Sequence, residues 1–406
     1  MKKRTLLSFL ALSFVLFFST KVIAQEGKIH VGKMKILPGI TVKTMHDDNI
    51  YSDFENEVPD WITHVKPGLG LSYDFPQRGS LKIGYRGDFA LYSVNTDNNW
   101  NDQMGYLLLD YKSPGGLILA IDNTYTDAED PYGSENQYKL GVPNTKRWHN
   151  DLKGKIGYKF TNRFETLAYY NFYKQSYELE VDKTQDYKKN EYGVGVQMKV
   201  LPKTWVFIRY HNGVQDYYSH PAGSGVTDTN DASFKFNRVN VGLAWDTRAK
   251  LNGELNFGYE WRDNENTTDV NDLPYDNKNS WIASTAIFYD ATSKTRLFLN
   301  ISRCIRPSGA NTSEYFEDTV MRLGFRQKFL TDFTLSVSGL YGTNDYNLPE
   351  DNKRKQQNYK ANIGFDYQIQ DWLSTGIEYT YSDKDSNNPE DEFTVNQFAI
   401  KISAVY

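Results

Sequence analysis

The sequence predicts an all-β fold: a transmembrane antiparallel up-and-down β-barrel of about 18 strands, with 16 as the alternative, short periplasmic turns and long extracellular loops. Three observations carry this reading. Apolar and polar residues alternate with a period of two through most of the chain. Every second connection is short, and the intervening ones are mostly longer and polar. The chain also ends on an amphipathic strand whose last residue is aromatic. The 406 residues include 30 Tyr, 23 Phe and 8 Trp, while 24% are charged, so large amphipathic rings punctuate a polar chain. That aromatic content excludes disorder. A count of 46 Lys+Arg against 51 Asp+Glu excludes a strongly basic nucleic-acid binder, and the single Cys304 excludes a disulfide scaffold.

Residues 1–24 read as a signal peptide. Lys2, Lys3 and Arg4 give the positive start, Leu6–Phe18 the apolar run, and Val22, Ile23 and Ala24 the small-residue cleavage site. No cysteine follows the cut that could carry a lipid. Beyond Ala24 no apolar run approaches the ~20 residues of a membrane-spanning helix, Leu117–Ile121 being among the longest. Residues 25–406 are therefore expected to form a single outer-membrane β-barrel domain, exported by the signal peptide. Only about ten residues separate the cut from the first strand, too few for a plug domain.

The strands follow in order. The first is 34–45, ending at the polar connection 46–61. In 62–75, Val65, Pro67, Leu69, Leu71, Tyr73 and Phe75 alternate with Lys66, Gly68, Gly70, Ser72 and Asp74, which makes one greasy face and one polar face. Pro76-Gln77-Arg78-Gly79 turns the chain into 80–93, where Leu81, Ile83, Tyr85, Phe89 and Leu91 oppose Lys82, Gly84, Arg86 and Asp88. The pattern continues as 100–112, 116–128, 146–160, 163–177, 187–200, 203–217, 233–246 and 251–263, then 278–290, 295–307, 315–329, 332–346, 355–369, 371–383 and 393–406. Short turns fall at 113–116, 161–162, 201–204, 247–250, 291–294, 330–332 and 370–371. The other connections are mostly longer and rich in Asp, Asn, Glu and Gly, at 129–145, 178–186, 218–232, 264–277, 308–314, 346–352 and 384–392. A soluble sandwich or propeller also alternates, but it has no reason to keep one greasy face throughout. In the last strand Phe398, Ile400, Ile402, Ala404 and Tyr406 share that face, and this terminal set is the expected membrane-insertion signal, read by the barrel assembly machinery.

Rings near strand ends fit a bilayer interface: Tyr158, Phe160, Trp205, Phe207, Trp245, Tyr259, Trp261, Phe288, Phe329, Phe333, Tyr367 and Trp372 are expected to face lipid and lipopolysaccharide. The opposite face should line a lumen. Counting from Met321, Leu323 and Phe325 turns Arg322, Arg326 and Lys328 inward, and counting from Ile156, Tyr158 and Phe160 turns Lys153, Lys155 and Lys159 inward. Glu254, Glu260, Asp366 and Glu378 are the acidic candidates on polar faces. The plainer reading is a lattice of paired charges supporting the wall; the sharper one is a basic constriction that attracts anions. The acidic loops, Asp47-Asp48 with Asp53, Glu55 and Glu57 among them, lack the calcium-loop spacing, so no metal and no cofactor is expected. The six histidines form no HExxH pair, and neither GxSxG nor GxxxxGK[ST] occurs, so no catalytic residue is assigned and an enzyme is not expected.

The opening strand Lys35-Ile36-Leu37-Pro38-Gly39-Ile40-Thr41-Val42, the following Asp47-Asp48-Asn49-Ile50-Tyr51, then Val65-Lys66-Pro67-Gly68-Leu69 and the barrel end at Tyr406 resemble the putative beta-barrel porin 2 family. The resemblance covers most of the mature chain. It implies an outer-membrane barrel that accompanies exopolysaccharide gene sets in Gram-negative bacteria and serves as a conduit for a secreted or capsular polysaccharide. It further implies that periplasmic export proteins deliver an extended glycan. The residues alone support a general diffusion porin for small hydrophilic solutes nearly as well, with a structural or adhesive surface barrel as a third reading.

Overall fold

In the computed structural model the described residues are 29–130, 145–246, 249–272, 274–275, 277–307, 315–346 and 354–406. The expected signal peptide and residues 131–144, 308–314 and 347–353 lie outside them. Nineteen strands form one antiparallel sheet. They are β1 (Ile29–Val31), β2 (Met34–Asp47), β3 (Asp60–Phe75), β4 (Gly79–Tyr92), β5 (Trp100–Lys112), β6 (Leu117–Asp130) and β7 (Thr145–Thr161). Then come β8 (Phe164–Tyr177), β9 (Tyr187–Leu201), β10 (Thr204–Tyr217), β11 (Phe234–Trp245), β12 (Leu251–Asn264) and β13 (Asn279–Asp290). The last are β14 (Thr295–Pro307), β15 (Tyr315–Phe329), β16 (Phe333–Tyr346), β17 (Lys355–Gln370), β18 (Leu373–Ser386) and β19 (Phe393–Val405).

Each strand from β2 onward pairs with the next, and β19 pairs back onto β2 from Gln397↔Asp47 to Val405↔Gly39. The eighteen strands β2–β19 thus close into a barrel without a free edge, the condition for satisfying backbone groups in hydrocarbon. The count of 18 holds and the 16-strand alternative does not. β1, which the sequence pattern did not announce, is a three-residue strand folded back on β2.

The tight turns need particular backbone. At the end of the first of them Gly79 has φ +137°, and a Cβ there would run into the Asp110 carbonyl of the next hairpin, so only glycine fits.

Burial is inverted relative to a soluble protein. Ile400, Ile402, Leu323, Ile363, Val194 and Ile208 are exposed on the outer face, where lipid replaces water as their solvent. Rings gather on the same face toward the strand ends: Tyr158 packs on Phe160 at 5.0 Å and Phe333 on Tyr367 at 4.7 Å near the short turns, while Tyr259 packs on Trp261 at 5.0 Å near the long loops. Three expected members of these girdles turn the other way. Trp205 and Phe207 are 9% and 3% exposed and lie on the lumen side, because Val206, Ile208 and Tyr210 take the outer face of β10. Phe288 also lines the lumen.

The Asp47–Tyr51 segment locks the barrel seam. Asp48 accepts bonds from the Asn396 backbone and side chain at 2.7 and 2.8 Å, and Asp47 accepts one from Gln397 at 2.7 Å, so two adjacent carboxylates tie the first barrel strand to the last. Asn49, 1% exposed, donates to the Asp53 and Thr394 carbonyls at 2.7 and 3.1 Å and bends the loop inward. Ile50 is thereby packed with Met45, Ile62, Ala90, Tyr92, Trp100 and Ala399 in an apolar cluster at the long-loop end. Trp100 and Tyr92 satisfy their polar tips on each other at 3.0 Å. The lumen is filled on this side of its long-loop end.

Candidate functional site in the barrel lumen

Between the walls, cations and carboxylates pair across strands. Arg209 of β10 grips Glu254 of β12 with two bonds of 2.8 Å, spanning β11. Glu260 is 2% exposed and accepts from Arg238 at 2.7 and 2.9 Å and from Arg262 at 2.7 Å. Arg238 also reaches Glu191 at 3.4 Å, which Lys189 and His211 approach at 3.7 and 2.9 Å. The inward rings pave this network: Arg209 lies 3.8 Å over Phe207, Arg262 4.4 Å over Phe234, and Lys189 4.7 Å over Phe236. A cation held against an aromatic face keeps favourable electrostatics where bulk water is scarce, which is the reason aromatics recur inside a polar barrel.

Among the described residues two cavities lie in the lumen. One, of about 480 Å³, opens toward the long loops and is bounded by β7–β12, β14 and β15. A run of rings lines one side of it, where Tyr173 stacks on Tyr187 at 5.4 Å and Tyr187 meets Tyr217 at 5.4 Å, and His149 stacks behind on Tyr173 at 5.9 Å. Arg147 donates to Tyr173 and Gln175 at 3.3 and 3.2 Å, and Arg306 of β14 pairs with Asp318 at 2.7 Å. The other cavity, of about 550 Å³, lies toward the short turns between β13 and β2 and is lined by Lys43, Arg296, Arg322, Arg326, Lys360 and Lys401 with Asp366 and Glu378.

The chain belongs to the putative beta-barrel porin 2 family. The sequence profile of that family matches residues 25–406. No curated protein matches the chain significantly. Among solved structures, the porin is similar to OccAB3 of Acinetobacter baumannii, at 8% identity over 91% of this chain and 99% of that one with a TM-score of 0.45. It is similar to OpdK of Pseudomonas aeruginosa at 8% identity, over 92% and 99%, with a TM-score of 0.44. It is also similar to a BenF-like porin of Pseudomonas fluorescens at 9% identity, over 91% and 99%, with a TM-score of 0.45. Family membership, the closed ring and the apolar outer face together make it an outer-membrane β-barrel of porin fold.

The inward residues expected from alternation all lie on the lumen side, but the structure does not bring them to one place. Lys153 lines the outer cavity and pairs with Asp151 at 2.6 Å. Lys155 lies in the field of Asp110 and Glu254, and Lys159 sits beside Glu165 in the register near the short turn. Arg322 and Arg326 line the inner cavity, whereas Lys328 lies beyond it at the end of β15. All four acidic candidates are neutralised: Glu254 and Glu260 as above, Asp366 by Lys401 at 2.9 Å and Glu378 by Lys43 at 3.6 Å. Sequence reading missed Lys43, Arg296, Lys360 and Lys401, although the same parity count places each of them inward. It also missed the ring run Tyr173, Tyr187 and Tyr217, whose signal was aromatic residues at inward rather than outward parity.

One trio in the loop after β10 has metal-ligand chemistry: His220, Asp228 and Asp231. Its imidazole faces Asp231 with Nε2 at 3.2 Å and Asp228 with Nδ1 at 3.5 Å. The ring therefore bridges two carboxylates on opposite edges, which suits a loop clasp better than a shared cation.

Proposed function

We propose that this barrel is a passive outer-membrane channel for small hydrophilic solutes. One observation carries the reading: an eighteen-strand ring closes around an inner face of ion pairs and amide side chains, and a ring of that size leaves an aqueous lumen rather than a packed core. Both cavities carry charged and amide side chains in their walls, and the Ile50–Trp100 cluster occupies one side of the long-loop end. The pore is thus suited to single small molecules. Purified barrel reconstituted in liposomes is expected to cause swelling in isotonic solutions of mono- and disaccharides, with the rate falling as the solute grows. Swelling no faster than in protein-free liposomes would overturn this reading, and equal passage of long dextrans would overturn its size limit.

A second reading, export of a secreted or capsular polysaccharide delivered by periplasmic partners, is favoured by the ring run Tyr173–Tyr187–Tyr217, since pyranose faces stack on aromatic faces. A deletion strain tests it. Loss of surface polymer with periplasmic accumulation, restored by complementation, supports export; unchanged polymer contradicts it for the polysaccharides assayed.

A further inference from the structure

The cavity at the short-turn end gathers more cations than carboxylates. Lys43 and Lys401 are matched by Glu378 and Asp366, and Arg296 is held by Asp290 through two bonds of 2.6 and 2.8 Å. Three cations remain. Arg322, Arg326 and Lys360 have no carboxylate within ion-pair distance among the described residues, yet all three line one space of about 550 Å³. They come from β15 and β17 on either side of β16, whose inward Leu340 lies between Arg322 and Lys360 in the register while Ser336 lies beside Arg326, so all three cations face the same space. Phe288 and Phe298 close another side with apolar surface that offers no competing hydrogen bonds.

Holding like charges together in a confined space is costly unless a counter-charge joins them. In the cavity toward the long loops Lys153, Lys189, Arg238, Arg262 and Arg306 each have a carboxylate of the chain within ion-pair distance; Arg322, Arg326 and Lys360 do not. The arrangement also has a chemical shape. Two guanidinium groups offer planar donor forks that match carboxylate or phosphate oxygens, and the ammonium adds a point charge that three-oxygen groups can share.

We propose that Arg322, Arg326 and Lys360 form a binding site for small multivalent oxyanions, organic di- and tricarboxylates in the first place, so that the channel prefers anions and holds such solutes in transit. The inference rests on the channel reading for transit but not for binding. Its chemistry is shared by inorganic phosphate, and the two sources are separated by titrating each.

The test uses the full chain in detergent and in planar bilayers. Isothermal titration with citrate is expected to give one saturable site, with phosphate binding more weakly at the same place. The double variant Arg322→Gln/Lys360→Gln is expected to bind citrate at least roughly tenfold more weakly, since most of the unneutralised charge is gone. In a potassium chloride gradient the zero-current potential of the native channel should report anion preference, and the double variant should move toward no preference. Heat-modifiable migration of the variant in gels checks that its barrel has folded, and the single variant Arg326→Gln gives a second reading if it has not. Absence of saturable citrate binding, or binding and selectivity left unchanged by both variants, overturns the anion site. Citrate binding without any conductance leaves the site standing and overturns the channel reading.

Discussion

Replacing Glu260 by alanine is expected to lower the unfolding free energy of the barrel by about 3–5 kcal/mol, the cost of leaving buried cations without their counter-charge. Glu260 is 2% exposed and joins Arg238 to Arg262, with both guanidinium groups within 2.9 Å of its oxygens. Its loss leaves Arg262 with a carbonyl bond to Ile305 at 2.8 Å, and leaves Arg238 sharing Glu191 with Lys189 and His211. Reversible unfolding in urea with lipid vesicles measures the effect. The triple replacement Arg238→Met/Glu260→Leu/Arg262→Met removes the charges together and is expected to recover most of the loss. If the triple variant is as unstable as the single one, the damage comes from shape and packing rather than from unpaired charge.

The second large effect is expected on the opposite face. Leu323 is 54% exposed at the middle of β15, on the side that meets lipid. An arginine there must place its charge near the bilayer midplane, at a cost of about 2–4 kcal/mol. The neighbouring inward position 322 already carries an arginine, so the pair of sites isolates facing from strand propensity. In the same unfolding assay Leu323→Arg should be strongly destabilised, whereas a polar substitution at Ser338 on the adjacent strand should change stability little. Equal tolerance at both positions would contradict the assignment of lipid and lumen faces.

The barrel was legible in the sequence because a period of two survives through most of the chain and because the connection lengths alternate. Both are direct consequences of one wall separating lipid from water. β1 escaped notice since three residues cannot establish a period. Trp205, Phe207 and Phe288 were misread for a physical reason: rings near strand ends usually anchor in the headgroup layer, but parity along the strand overrides position, and inside this lumen a ring has a use as a platform for arginine.

The candidate site was half legible. Alternation found the inward charges but not their partners, since Arg209 meets Glu254 across an intervening strand and such meetings depend on register and barrel curvature. For the same reason the sequence could not show that Lys360 of β17 and Arg322 of β15 share a cavity. The Asp47–Tyr51 stretch was visible as a loop entrance, but its work in holding β19 to β2 emerges only when residues 348 and 350 positions apart in sequence are seen bonded.

The account depends above all on one face of the sheet meeting lipid while the other encloses water. On a Cys304→Ser background, single cysteines at Ile400 on the outer face and at Ser338 on the inner face, reconstituted in vesicles, can be challenged with a charged thiol reagent that does not enter hydrocarbon. The account predicts rapid modification of Ser338→Cys and protection of Ile400→Cys. Protection at Ser338→Cys with modification at Ile400→Cys would contradict it.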